Sequence, residues 1–171
     1  MKTQNATRPK PAAVPKRLVA DVMLAKLARW LRLAGIRVES APYIDDDKII
    51  DYVRKKRATL LTEDEQLAGR SKKQQFSALL VKGNSIEKQL AYVANATGAK
   101  IGAAPALICP YCNTRLVKVV KAKAEGVPEH VAKTHRVFYM CNSCKRIYWR
   151  GTHWREISKK LRKAREIAAK L

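Results

Sequence analysis

Between residues 18 and 97, short apolar runs alternate with stretches of helical periodicity, an order that predicts a parallel sheet covered by helices on both faces. The first run, Leu18-Val19-Ala20, is closed by Asp21. Met23 to Ala34 then places Met23, Leu24, Leu27, Leu31 and Ala34 on one helical face, and Gly35 suits the C′ position beyond it. A second strand is predicted over Ile36–Glu39. One aspartate of Asp45-Asp46-Asp47 should cap a helix over Lys48–Arg57, whose apolar face carries Ile49, Ile50 and Val53. Thr59–Thr62 reads as a third strand, a short helix follows around Glu65–Arg70, and Ser77–Val81 reads as a fourth strand. Asn84 with Glu87 three residues on resembles a capping box opening a helix over Ser85–Thr97.

Acids are scarce, which makes their positions informative. The chain has 14 Asp and Glu against 36 Lys and Arg, yet seven acids fall at three places: Asp21, Asp45-Asp46-Asp47 and Glu63-Asp64-Glu65. Each place follows a predicted strand, and open α/β sheets build sites at the carboxyl ends of their strands. Carboxylates gathered there repel one another unless a cation sits between them, and magnesium or manganese is the usual partner of oxygen ligands. The remainder of the chain attracts polyanions, so metal-assisted phosphodiester chemistry on nucleic acid is the function this pattern implies. Capping of the following helix is the alternative for a lone residue such as Asp21.

The chain has 171 residues, room for one ordinary domain and a small module, and 47% hydrophobic content supports a real core. A formal charge of +22 argues for RNA or another polyanion as partner; an anionic membrane is the competitor. No stretch approaches the length of a membrane span and Met1–Arg17 has no apolar export segment, so the expected location is cytoplasmic, with neither a membrane nor a small-molecule substrate as partner. Residues 1–17 hold three prolines and five bases without an acid, the composition of an extended basic arm that can order on RNA. Residues 18–100 form the predicted α/β domain, and the small, uncharged residues from Gly98 to Pro105 mark a boundary. Residues 105–154 are rich in cysteine and aromatics. Residues 155–171 carry seven bases and two acids around a stripe of Ile157, Leu161, Ala164, Ile167 and Leu171, predicting a basic amphipathic helix that docks on its own domain.

Cys109-Pro-Tyr-Cys112 and Cys141-Asn-Ser-Cys144 are two CxxC pairs separated by 28 residues. Such pairs form knuckles whose backbone amides support thiolates, and four thiolates complete a tetrahedral zinc shell. Two disulfides or an iron–sulfur centre are the alternatives. A closed shell leaves no position for water, so this zinc would be structural. The candidate RNA-binding residues are Lys26, Arg29 and Arg32, which share a polar arc of the first helix, and Lys145, Arg146, Trp149, Arg150 and Arg155, where bases interleave with aromatics. Part of that aromatic set must supply the small module's own core. His130, His135 and His153 are each read as structural, since four cysteines already satisfy zinc.

The segment from Asp21 to Gly35, reading DVMLAKLARWLRLAG, resembles the opening of the Mut-seven C-terminal RNase family, a PIN-like nuclease domain followed by a zinc ribbon. The likeness continues at Asp46, at Leu60-Leu61-Thr62-Glu63-Asp64, at both CxxC pairs and at Arg146-Ile-Tyr-Trp-Arg-Gly-Thr-His-Trp154. The resemblance implies RNA cleavage dependent on magnesium or manganese, with Asp21, Asp46 and Asp64 as metal-binding acids. Two departures stand against it: Glu63 where the family has Arg, and Thr134-His135-Arg136 where an acid is expected after the histidine. Three functions compete: an active endoribonuclease, a non-catalytic binder of structured RNA that is ribosomal or ribosome-associated and neighbours ribosomal proteins, and a toxin-like nuclease acting with a partner.

Overall fold

The structure, a computed structural model, describes residues 17–103, 105–120 and 126–171. Apart from Arg17, the predicted basic arm lies outside the described residues. The order is β1 (Leu18–Ala20), α1 (Ala25–Leu33), β2 (Glu39–Ser40), α2 (Asp46–Lys56), β3 (Thr59–Thr62), α3 (Glu65–Lys73), β4 (Ser77–Leu80), α4 (Ile86–Thr97), β5 (Leu116–Val120), α5 (Glu129–Thr134), β6 (Val137–Cys141), β7 (Ile147–Trp149) and α6 (Thr152–Ala168). The first four strands form a parallel sheet in the order β2-β1-β3-β4. The last three form a separate antiparallel sheet, β5-β6-β7. No described helix is long and apolar enough to cross a membrane.

Strand alternation divides the core into two layers. Leu18, Ala20 and Leu61 point to one face, where they meet Leu24, Leu27 and Leu31, Leu90 of α4, and Leu161 and Ala164 of α6. Val19 and Leu60 point to the other, against Ile49, Ile50 and Val53 of α2 and Leu67 of α3. The terminal helix therefore docks on its own domain as its stripe predicts. It begins at Thr152, three residues before the expected start, because Gly151 supplies the extended N-cap. The chain leaves the α/β layers after α4, builds the small antiparallel sheet, and returns through α6 to complete the first core.

Local chemistry explains most boundaries. Gly35 has φ 89°, its N–H donates to the Arg32 carbonyl, and the Ile36 N–H donates to the Leu31 carbonyl, which is a Schellman closure of α1. Ile36 is thereby committed to the helix end. Strand β2 is confined to Glu39–Ser40, a correction to the strand predicted over Ile36–Glu39. Asp45 caps α2 by accepting from the Lys48 N–H at 2.9 Å. The capping box predicted at Asn84 is also corrected: Ser85 is the cap, accepting from Lys88, and Glu87 instead faces Lys160 of α6 at 3.9 Å.

Candidate nucleic-acid interface and metal centre

Strands β2, β1 and β3 are adjacent and parallel, so the segments that follow them emerge side by side at one edge of the sheet. The order reverses between β1 and β3, the switch point at which open α/β sheets open a crevice. Asp21 leaves β1 there and Asp64 leaves β3. Asp21 is only 5% exposed, and it makes no capping bond to the short 3-10 turn Val22–Leu24 that follows it. Its Oδ2 instead accepts from the Thr62 hydroxyl at 2.9 Å, while Thr62 Oγ1 accepts from the Asp64 N–H at 3.0 Å. Thr62 thus ties the two acidic segments together across the switch point.

The other carboxylates are engaged elsewhere. Asp64 Oδ1 caps α3, accepting from the Gln66 and Leu67 N–H groups at 2.7 and 2.9 Å. Asp46 pairs with Arg70 of α3 at 3.5 Å, and Arg70 also binds Asp47. The cation relieving repulsion in the aspartate run is therefore a guanidinium. Octahedral magnesium at about 2.1 Å needs ligand oxygens no more than about 4.2 Å apart. Among the described residues, the four cysteines are the one group of three or more ligand atoms all within 4.8 Å of each other. Asp21, Asp46 and Asp64 share an edge without forming a ready cation cage.

The cysteines do form such a cage. Sγ atoms of Cys109 and Cys144 lie 3.7 Å apart, and those of Cys112 and Cys141 lie 3.2 Å apart, so none is in a disulfide. Zinc at about 2.3 Å from four tetrahedral sulfurs spaces them about 3.8 Å apart, so the donor set fits that ion. The two knuckles repeat one geometry. Asn113 N–H donates to the Cys109 carbonyl at 3.0 Å and Lys145 N–H to the Cys141 carbonyl at 2.8 Å, with both residues at positive φ, 62° and 59°. Burial raises the Cys112 thiol, but hydrogen bonds from Thr114 and Cys141 outweigh it and bring it down to about 6. Burial pushes Cys141 up to about 11. Metal binding at such a site requires the thiols to ionise, so the ligand set binds as thiolates. Burial also raises the Tyr148 hydroxyl, which shares a hydrogen bond with Cys109 Sγ at 3.2 Å.

Arg32, predicted to face RNA, is buried at 3% exposure, and its role is corrected accordingly. Its guanidinium donates to the carbonyls of Val38 (2.9 Å), Pro110 (2.9 Å) and Tyr111 (2.8 Å) and to the Ser40 hydroxyl (2.8 Å). It fastens the first knuckle to α1. The residue falls on the polar arc in sequence, yet it alone of the three is covered by the cysteine module, while Lys26 and Arg29 stay exposed. Burial lowers its pKa, and the thiols of Cys109 and Cys112 oppose that shift.

The remaining bases stay at the surface. Lys26, Arg29, Lys145, Arg146, Arg150 and Arg155 are exposed, and Trp149 is half-buried. Tyr111, exposed on the first knuckle, carries the guanidinium of Arg29 at 4.7 Å and that of Arg146 at 4.1 Å from its ring centre. The result is a ridge of two cations about one ring, joining α1 to both knuckles. Lys26 lines a depression of about 340 Å³ with Glu63, Ser85 and Gln89, close to the switch point. Thr62 and Arg70 escaped sequence reasoning as site residues, because their partners are set by strand order and by the packing of α2 beside α3.

The model of the Mut7-C RNAse domain family matches residues 16–161. The chain belongs to that family. The match spans the parallel sheet, both knuckles and the start of α6, so the Mut7-C RNAse domain here comprises the acidic edge and the four-cysteine metal site together. No curated protein and no solved structure matches the chain.

Proposed function

We propose that this Mut7-C chain is an RNA-binding protein of the PIN-like RNase type that grips the backbone of structured RNA. The observation that carries the reading is the ridge of Arg29, Tyr111 and Arg146 across the junction of α/β domain and zinc ribbon. It lies in a chain of net charge +22, with Lys145, Arg150 and Arg155 exposed beyond it. Guanidinium groups on an aromatic suit phosphate contact and base stacking together. The metal is zinc, held by Cys109, Cys112, Cys141 and Cys144, and its contribution is to fold the ribbon. Four thiolates and a zinc ion carry a net charge of about −2, balanced by Arg32 beneath and Arg146 above. Reduced cysteines suit the cytoplasm. Several phosphate contacts give tight, salt-sensitive affinity, which suits residence on a large RNA such as ribosomal RNA beside ribosomal proteins.

A second reading, divalent-metal-dependent endoribonuclease action, is favoured by the strand order that brings Asp21, Asp46 and Asp64 to one edge. It requires Asp46 to leave Arg70. The deciding experiment offers labelled RNA to the purified protein with manganese or magnesium, beside Asp21→Asn and EDTA controls. Binding that falls steeply with salt and no cleavage is the expected result. Cleavage that vanishes in both controls would establish the enzyme instead, and a flat salt response would refute the phosphate-dominated interface.

A further inference from the structure

The ribbon and α6 enclose a second feature, remote in chemistry from the acidic edge. All three histidines of the chain, His130, His135 and His153, line one cavity of about 510 Å³ together with Tyr148, Trp149 and Trp154. That volume lies in the range of small-ligand sites, and a lining of aromatics with a few polar edges is what such sites use. His130 and His135 come from α5 and its C-cap and His153 from the first turn of α6, so tertiary packing brings the third histidine to the other two.

The walls are held in place. A Cβ at Gly151 would meet Trp149 Nε1 at 3.0 Å, so the indole lies directly on the glycine backbone. His135 is fixed at both nitrogens, Nε2 against the Arg150 carbonyl at 3.1 Å and Nδ1 against the Thr134 hydroxyl at 2.8 Å. The Arg150 guanidinium covers the Trp154 ring at 5.1 Å. By contrast, the exposed rings of His130 and His153 make no hydrogen bond to a described residue. An adjoining depression of about 420 Å³ contains Lys118, Arg136 and Arg150. Neither lining includes an acid among the described residues. Flat apolar walls, two free imidazole edges and a cationic rim complement a planar base attached to a phosphate.

We propose that this cavity is a nucleotide pocket that takes one unstacked base of single-stranded RNA, with its flanking phosphates on Lys118, Arg136 and Arg150. The proposal rests on the RNA-binding reading and adds a base-contacting site to it. Trp149 and Trp154 supply the stacking surfaces, and His130 and His153 present donors and acceptors to the base edge. A single base captured this way favours loops and unpaired ends over continuous duplex, because a paired base must first leave its stack.

The test uses the full chain and a short single-stranded RNA bearing 2-aminopurine, with the matching duplex as comparison. Quenching of the probe on binding is expected, with Trp154→Ala binding the single strand about tenfold more weakly, within the range of one lost stacking contact. Trp154 is half-buried, so His130→Ala/His153→Ala provides a surface variant that leaves the fold intact; it should weaken single-strand binding severalfold with an unchanged salt slope. Zinc content and circular dichroism verify folding of each variant. Steep salt-dependent RNA binding without quenching, and with both variants matching wild type, would overturn the pocket and leave the RNA-binding reading standing. No binding of either RNA at low salt would overturn both.

Discussion

Arg32→Met should destabilise the protein more than any surface substitution and should loosen the metal centre 77 residues away in sequence, at Cys109. Methionine keeps helix propensity and most of the side-chain volume in α1 but donates nothing. Of the four acceptors, Ser40 is exposed and recovers a water partner; the Val38 and Pro110 bonds are buried and their carbonyls do not. Each stranded acceptor costs about 1–3 kcal/mol, and relief from burying the guanidinium offsets part of the sum. A net loss of about 3 kcal/mol follows, equivalent to a drop in Tm of roughly 6–12 °C for a chain of this size. Removing the buried positive charge leaves Arg146 as the remaining counter-charge to the thiolates, so zinc bound there should pass to a chromogenic chelator faster than from wild type. Arg32→Lys supplies a charge without the planar fork and should fall between the two. Thermal unfolding and zinc-release kinetics on the three proteins decide the matter. An Arg32→Met protein within 0.5 kcal/mol of wild type, releasing zinc at the same rate, would refute the claim that this side chain couples the two domains.

Three further outcomes follow from local geometry. Arg57 sits at φ 50° just past α2, where glycine carries no steric penalty; Arg57→Gly should stabilise by up to about 1 kcal/mol in denaturant melts, after losing a few tenths from its favourable charge at the helix end. Asp64→Ala removes two capping bonds and should cost about 1 kcal/mol, whereas Asp64→Asn keeps the cap and should be near neutral by calorimetry. Asp64→Asn is therefore the variant that tests catalysis without confounding it with folding. The Tyr52 hydroxyl, followed by Lys56, holds the Glu39 carboxyl below its ordinary value. A lowered carboxyl pKa stabilises the fold above the unfolded value of about 4.3 and loses that effect as pH falls through the folded value. The stability advantage of wild type over Glu39→Gln should accordingly be present at neutral pH and decline in acid unfolding curves as pH falls below about 4.3.

What the sequence made legible was most of what neighbours along the chain govern, the capping box at Asn84 being an exception. Four strands with helices between them, the Gly35 closure, an aspartate cap on α2 and two CxxC knuckles each depend on a few adjacent residues, and each is found. Ile36 shows the limit of that reasoning: its β-branched side chain suits a strand, but the Schellman bond takes its N–H and shortens β2. Side chains whose partners lie far along the chain were not legible. Arg32 sits in phase with Lys26 and Arg29, and only the docking of Pro110 and Tyr111 distinguishes a buried fastening from a phosphate contact. Arg70 follows the same logic, since its pairing with Asp46 depends on α2 and α3 lying together on one face of the sheet. These two arginines carry the central consequence for function. One occupies the acidic run where a divalent cation would otherwise be needed, and the other balances the thiolates of the ribbon. Two of the strongest negative centres in a basic protein are thus satisfied internally, leaving the outward field positive around Arg29, Arg146 and Arg150. A surface of that kind suits RNA whether or not the acidic edge ever cuts it.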